Sequence, residues 1–114
     1  MADKDKYNII AIVEAIEKIF QYSHQYSTAD ELYNCNRDFD ASMMNFIVSG
    51  EMVARLSDEF TMENSHIDWH KIKGFRNILA HDYFGIDSEE VWDIIKKHLQ
   101  KLKSDIEKIK ISRQ

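Results

Sequence analysis

The sequence predicts an all-α protein, an up-and-down bundle of four main helices plus one short helix. Three observations carry that prediction. The chain has no proline and three glycines, Gly50, Gly74 and Gly85, which favours helices with short connections over a sheet-rich fold. Apolar residues recur three and four apart, the period of a helix with one buried face. At 114 residues the chain suffices for one domain, 1–114, whose core needs neither disulfide nor metal.

Each element follows from its pattern. Ile9, Ile12, Val13, Ile16, Ile19 and Phe20 form the stripe of a first helix that runs to about Tyr26. In "STADELYN", Ser27 or Thr28 can cap a short helical turn around Asp30–Asn34. A second long helix starts near Asp38, with Phe39, Met43, Phe46, Ile47, Val53 and Leu56 on one side. Gly50 lies in that stripe, where a missing side chain permits close approach by a neighbouring helix. "TMENSHID" reads as a polar connection, and "WHKIKGFRNILAH" as the third long helix. After "DYFG" comes the last helix, with Asp87 as its cap, Glu90 completing a capping-box pattern, and Gly85 as a helix-ending glycine before it. Its inner face is Val91, Ile94, Ile95, Leu99, Leu102, Ile106 and Ile109, and residues 106–114 are expected to fray as a basic end.

Composition narrows the function classes. A net charge of −5 argues against a general nucleic-acid coat. The charge is unevenly spread: residues 96–114 carry seven basic side chains against Asp105 and Glu107. A charged solvent face on the last helix is the preferred reading, with a phosphate-attracting flank as its alternative. The single Cys35 cannot form an internal bridge, the stretch "MADKDKYNII" lacks the segments of a signal peptide, and no apolar run approaches a membrane span. A cytoplasmic protein without membrane contact is expected.

One stretch stands out, "FRNILAHDYF", residues 75–84. With Ile72 at zero, Trp69, Phe75, Leu79 and Ala80 define an apolar arc, and Arg76 falls inside it at about 40°. A guanidinium among core side chains is costly unless it is paired or reaches a wet cleft, so Arg76 should face a groove or a partner chain. His81 lies about 140° from Arg76, and Tyr83 a further 200° or so round. The three can converge only if the helix loosens near Ala80–Asp82, or if a second copy of the chain completes the site. Arg and His five apart are more often a salt-bridging residue and a surface histidine. If they do converge, the chemistry is specific. A histidine can take a proton from a ribose 2′-hydroxyl or protonate a leaving 5′-oxygen. An arginine offers a fork of donors to a phosphate, and a tyrosine hydroxyl can orient that phosphate or accept a transferred group.

The segment "RNILAHDY" (76–83) resembles the signature of the HEPN superfamily, and the Tyr two residues after the His resembles its HepT branch. "GEMVARLS" (50–57) resembles that family's Gly-Glu segment, and "DWHKIKGFRNILAHDYFGIDSEEVWDIIKKHL" (68–99) its motif helix, turn and final helix. The likeness covers roughly residues 5–105. It implies a metal-independent endoribonuclease toxin of a type VII toxin–antitoxin pair, acting on RNA as a homodimer. The implied partner is an MntA-like nucleotidyltransferase antitoxin that silences the toxin by adenylylating the motif tyrosine. Arg76 and His81 match the catalytic pair, Asn77 and Asp82 are the supporting motif residues, and Tyr83 matches the modified tyrosine. An adenylyl group there is expected to sit beside Arg76 and His81. The alternative is a non-catalytic helical partner of the nucleotidyltransferase that accepts its nucleotide, and a bare dimerisation bundle is a third reading.

Other constellations have plainer readings. His66 and His70 flank Asp68 at a spacing that could hold a metal, but no third ligand is evident, and solvated histidines are expected. Lys71 and Lys73 beside them are candidate RNA contacts. Glu14, Glu17, Glu51, Asp58 and Glu59 lack the Glu-x-x-His pairs of a di-iron bundle. Glu51, following the packing glycine, can pair with Arg76 or another buried cation. Met43, Met44 and Met52 read as core filling and Cys35 as inert. No cofactor and no metal are expected.

Overall fold

Residues 1–109 are described by the computed structural model. Helix α1 (Asp3–Ser23) buries Ile9, Ile12, Ile16 and Ile19 along the expected stripe. It stops three residues before Tyr26. Ser23 Oγ donates back to the Ile19 carbonyl at 2.7 Å, and the His24 N–H closes the turn on Phe20 O. Tyr26 leaves the helix because its hydroxyl is needed elsewhere: it donates to the buried Asp38 carboxylate. Gln25 Nε2 and Arg37 Nε reach the same carboxylate at 3.1 and 3.2 Å. The Tyr26 hydroxyl and Arg37 hold the Asp38 carboxyl below its ordinary range.

Helix α2 (Ala29–Asn34) is capped by Thr28, whose Oγ1 accepts from the Glu31 N–H at 3.1 Å, while Glu31 Oε1 accepts from the Ser27 N–H. Helix α3 (Asn36–Ala54) begins two residues before Asp38. The link expected to be polar coil is partly helical: α4 (Asp58–Glu63) starts on the Ser57 cap and buries Phe60 against Trp69. Among the described residues, two separate short helices, α2 and α4, therefore accompany the long ones, where one was expected. Helix α5 (Trp69–His81) follows the Asp68 cap, and a 3₁₀ turn, Tyr83–Gly85, leaves it.

The last rod comprises α6 (Ser88–Asp93), a π turn (Ile94–His98) and α7 (Leu99–Glu107). Asp87 caps it, but its carboxylate accepts from the Glu89 N–H at 2.9 Å and makes no box with Glu90. The π turn departs from the single regular helix expected here; within it Ile94 and Ile95, neighbours in sequence, are both buried. Fraying does not begin at 106: Ile106 is 1% exposed, and the helix continues to Glu107. The rest of that expectation, residues 110–114, lies outside the described residues. The rod's lysines form local pairs, Lys97 with Asp93, Lys101 with Asp105 and Lys103 with Glu107, as a solvated charged face would.

The chain runs up and down. Asp5 near the start of α1 accepts from the Ser57 N–H and Oγ at 2.8 and 2.6 Å, just past the end of α3. Lys103 on α7 faces Glu17 on α1, and Phe46 of α3 meets Phe75 of α5 edge to face at 4.9 Å. Each such apolar side chain contributes about 1.5–3 kcal/mol on full burial. Among the described residues there is no strand, and no helix is long and apolar enough to cross a membrane.

Candidate active site

Helices α3 and α5 lie antiparallel and close together, and Gly50 is the reason they can. A Cβ built on Gly50 would stand 2.7 Å from Arg76 Cγ and 3.2 Å from the Ile72 carbonyl oxygen. Arg76 fills that missing volume with its own stem. Its side chain is 22% exposed, within the apolar face of α5 but at its wet edge, and Nη1 donates to Glu51 Oε1. The pairing of Glu51 with Arg76, one of the two partners open from sequence, is the one formed. Arg76 Nε is buried without a partner, so the ion pair leaves part of the guanidinium's donor capacity unused.

The other motif residues do not gather around Arg76 within one chain. Helix α5 is regular through His81 and leaves helical geometry only at Asp82. Of the two routes to convergence, loosening near Ala80–Asp82 and a second copy of the chain, the first therefore begins too late to turn His81 toward Arg76. His81 and Asn77 are exposed, and Ala80, expected on the apolar arc, is exposed as well. Helix α5 ends when the Asp82 N–H bonds to Ile78 O at 2.9 Å. Gly85 is not a left-handed helix terminator, since no glycine has positive φ. Its role is clearance: a Cβ there would stand 2.6 Å from Asp82 Cγ, and the Asp82 carboxylate accepts from the Gly85 N–H at 3.1 Å. Asp82 thus shapes the turn.

Tyr83 is half-buried, and its hydroxyl donates to Asp40 on α3. Burial and the Asp40 carboxylate push the phenol well above its ordinary range, so it stays neutral. A groove of about 780 Å³ opens beside it, with Asp40, Met44 and Ile47 of α3 on one wall and Tyr83, Phe84 and Ile86 on the other. Phe84 is 97% exposed. Asp40 and Glu51 are eleven residues apart on one α-helix, which sets their Cα atoms about 16 Å apart on nearly the same face. The Tyr83 hydroxyl and the Arg76 guanidinium sit at opposite ends of that stretch. A group on Tyr83 is therefore anchored about three helical turns along α3 from the Arg76–Glu51 pair within one chain. Asp40 escaped notice in the sequence, although its three-turn offset from Glu51 was the available signal.

The remaining candidates lie apart from this face. Lys73, His66, Asp68 and His70 line a separate groove of about 540 Å³ near the α4–α5 link, and Lys71 is exposed next to it. Among the described residues, no three His, Cys, Asp or Glu side chains are grouped to hold a metal ion.

Several known proteins are similar to this chain in sequence. A Methanocaldococcus jannaschii protein named "Gamma-glutamylcyclotransferase and putative RNase" is 35% identical over 98 residues, 86% of this chain and 44% of that one. A Caldanaerobacter subterraneus protein named "Putative RNase" is 34% identical over 62 residues, 54% of this chain and 55% of that one. A Thermococcus cleftensis protein named "Probable ribonuclease HepT" is 28% identical over 99 residues, 87% of this chain and 89% of that one. The chain spans about half the length of the first two. No solved structure matches it. The family model described as "Ribonuclease HepT-like" matches residues 12–109, from within α1 to the last residue described, and the chain belongs to that family.

Proposed function

We propose that the chain is an endoribonuclease that cleaves RNA through the ribose 2′-hydroxyl, without a metal ion, as a homodimer. The observation that carries this reading is the setting of Arg76. It is a cation built into the apolar face of α5, held by Glu51 through the space at Gly50, on the helix that ends at the exposed His81. A charge in that position is costly for stability alone and useful for gripping a phosphate. The family match and the ribonuclease names of its relatives point the same way.

In this reading His81 takes the proton of the 2′-hydroxyl as that oxygen bonds to phosphorus. The bond from phosphorus to the 5′-oxygen breaks, and His81 of the second copy, as imidazolium, protonates the leaving oxygen. Arg76 donates to the non-bridging oxygens as their charge grows. The products are a 2′,3′-cyclic phosphate and a 5′-hydroxyl. Two copies are required because α5 keeps Arg76 and His81 of one copy on different sides. The protein is the toxin of a toxin–antitoxin pair whose partner is an MntA-like nucleotidyltransferase. That partner adenylylates Tyr83: the phenolic oxygen bonds to the α-phosphorus of ATP, pyrophosphate leaves, and the phenolic proton passes to Asp40.

The test is cleavage of single-stranded RNA in excess EDTA. His81→Ala should lower kcat by about 10²–10⁴-fold with the melting temperature unchanged. Cleavage that survives the substitution, or that stops in EDTA, removes the reading. The separation of Arg76 and His81 within one chain favours a second reading, a non-catalytic adenylylation substrate, for which no RNA is cleaved but Tyr83 is still modified.

A further inference from the structure

We propose that the Tyr83–Asp40 hydrogen bond is a latch that positions His81, which makes Asp40 and Tyr83 positioning residues for RNA cleavage; this rests on the ribonuclease reading above. Helix α3 acts as a ruler for the site. Glu51 near one end fixes Arg76, and Asp40 near the other fixes Tyr83, two residues beyond His81. His81 is the final residue of α5, in the turn where a helix's carbonyl groups lack intrahelical partners and where fraying begins. The turn after His81 has few anchors of its own. Asp82 is engaged with Gly85, and Phe84 projects into solvent. Tyr83 and Ile86 touch the core, and Tyr83 adds a hydrogen bond to a charged acceptor, a class roughly twice as strong as neutral ones. The segment that presents His81 is therefore tied to α3 chiefly through Tyr83.

The latch also gives modification of Tyr83 a route to the site. An adenylyl group on the phenolic oxygen removes the proton that Asp40 accepts and places a phosphodiester anion beside that carboxylate. Latched and adenylylated states exclude one another. Silencing then proceeds by releasing His81, and the nucleotide need not span the distance to Arg76.

The experiment compares kcat, KM and the imidazole NMR signals of the wild-type homodimer with those of Tyr83→Phe, Asp40→Ala, Asp40→Asn and the double variant Tyr83→Phe/Asp40→Ala. Tyr83→Phe and Asp40→Ala should each lower kcat about tenfold with KM within about twofold, the pattern of a misplaced catalytic group. The double variant should be no worse than either single one, since both break one bond. Asp40→Asn keeps an acceptor for the phenol and should recover part of kcat. The His81 signal should shift or broaden in Tyr83→Phe while that of His24, just past the end of α1, stays in place. Unchanged kcat in Tyr83→Phe and Asp40→Ala, with an active wild type, overturns the latch alone. So does a rise in KM for Tyr83→Phe with Asp40→Ala silent, which would make Tyr83 a direct RNA contact. A wild type that cleaves no RNA overturns the ribonuclease reading, and the positioning role with it.

Discussion

The C-terminal end of the α3 helix and the face that α3 shares with α5 are finished differently. Past its C-terminal end, the buried Asp5 carboxylate takes both the N–H and the hydroxyl of Ser57, and Asn8 caps the Arg55 carbonyl at 3.3 Å. Every polar group named there has a partner inside the chain. On the face that α3 shares with α5, Arg76 has one bond to Glu51 and a buried Nε with none, His81 is exposed, and Phe84 is bare. A fold under selection for stability alone would not leave one face so open while closing the other. The contrast teaches where this bundle keeps its donors free.

The largest effect is expected at Gly50. A side chain there meets the stem of Arg76 and the Ile72 backbone, neither of which is the free end of a flexible chain. Gly50→Val should cost about 3 kcal/mol, as overpacking of a tight contact does, and should also lower RNA cleavage by pushing Arg76 away from Glu51. Denaturant unfolding and a cleavage assay measure the two effects separately. A Val variant as stable and active as wild type would mean that the two helices do not need their close approach.

Asp5→Ala acts on the closed end of α3. It strands the Ser57 N–H and should cost about 1–3 kcal/mol, the range for an unsatisfied buried group. Because Asp5 belongs to the closed end, kcat for RNA should not move below the new melting temperature. A loss of kcat larger than the loss of folded protein would couple the closed end to the α3–α5 face and weaken the contrast.

Much of this was legible in the sequence. The stripes on α1, α3 and the last rod, the helix 69–81, and the packing role of Gly50 all follow from period and residue type. What was not legible depends on partners distant along the chain. Tyr26 leaves α1 because Asp38, twelve residues on, binds its hydroxyl. Helix α4 was missed because its six residues bury one aromatic, Phe60, too few to show a period. The same holds at the site. Position on α5 marks Arg76 as misplaced for a core, and Glu51 beside Gly50 is an available counter-ion, whereas Asp40 enters only once α3 and α5 are set side by side. Of the two routes by which Arg76, His81 and Tyr83 can converge, a loosened helix end and a second copy of the chain, the first depends on where α5 ends, and α5 stays regular through His81.

The smallest predicted effect concerns the second buried nitrogen without a partner, His98 Nε2, in the π turn. An arginine left short of partners keeps its charge, but a histidine can give its proton up. Burial holds His98 below its ordinary value, and Lys71 and Lys101 push the same way against the pull of Asp68. In the unfolded chain His98 takes up its proton near pH 6.5, while the folded chain resists until lower pH. Within that window the unfolded state binds more protons, so stability falls as pH is lowered and levels off below the folded value. His98→Gln removes this term. The melting temperature of wild type should therefore drop more than that of His98→Gln between about pH 7 and pH 5. RNA cleavage by the variant at neutral pH should match wild type, because His98 lies outside the α3–α5 face. Parallel melting curves for the two proteins across that range would show that His98 takes up its proton at the same pH in the folded and unfolded chain, so that burial in the π turn does not hold it low.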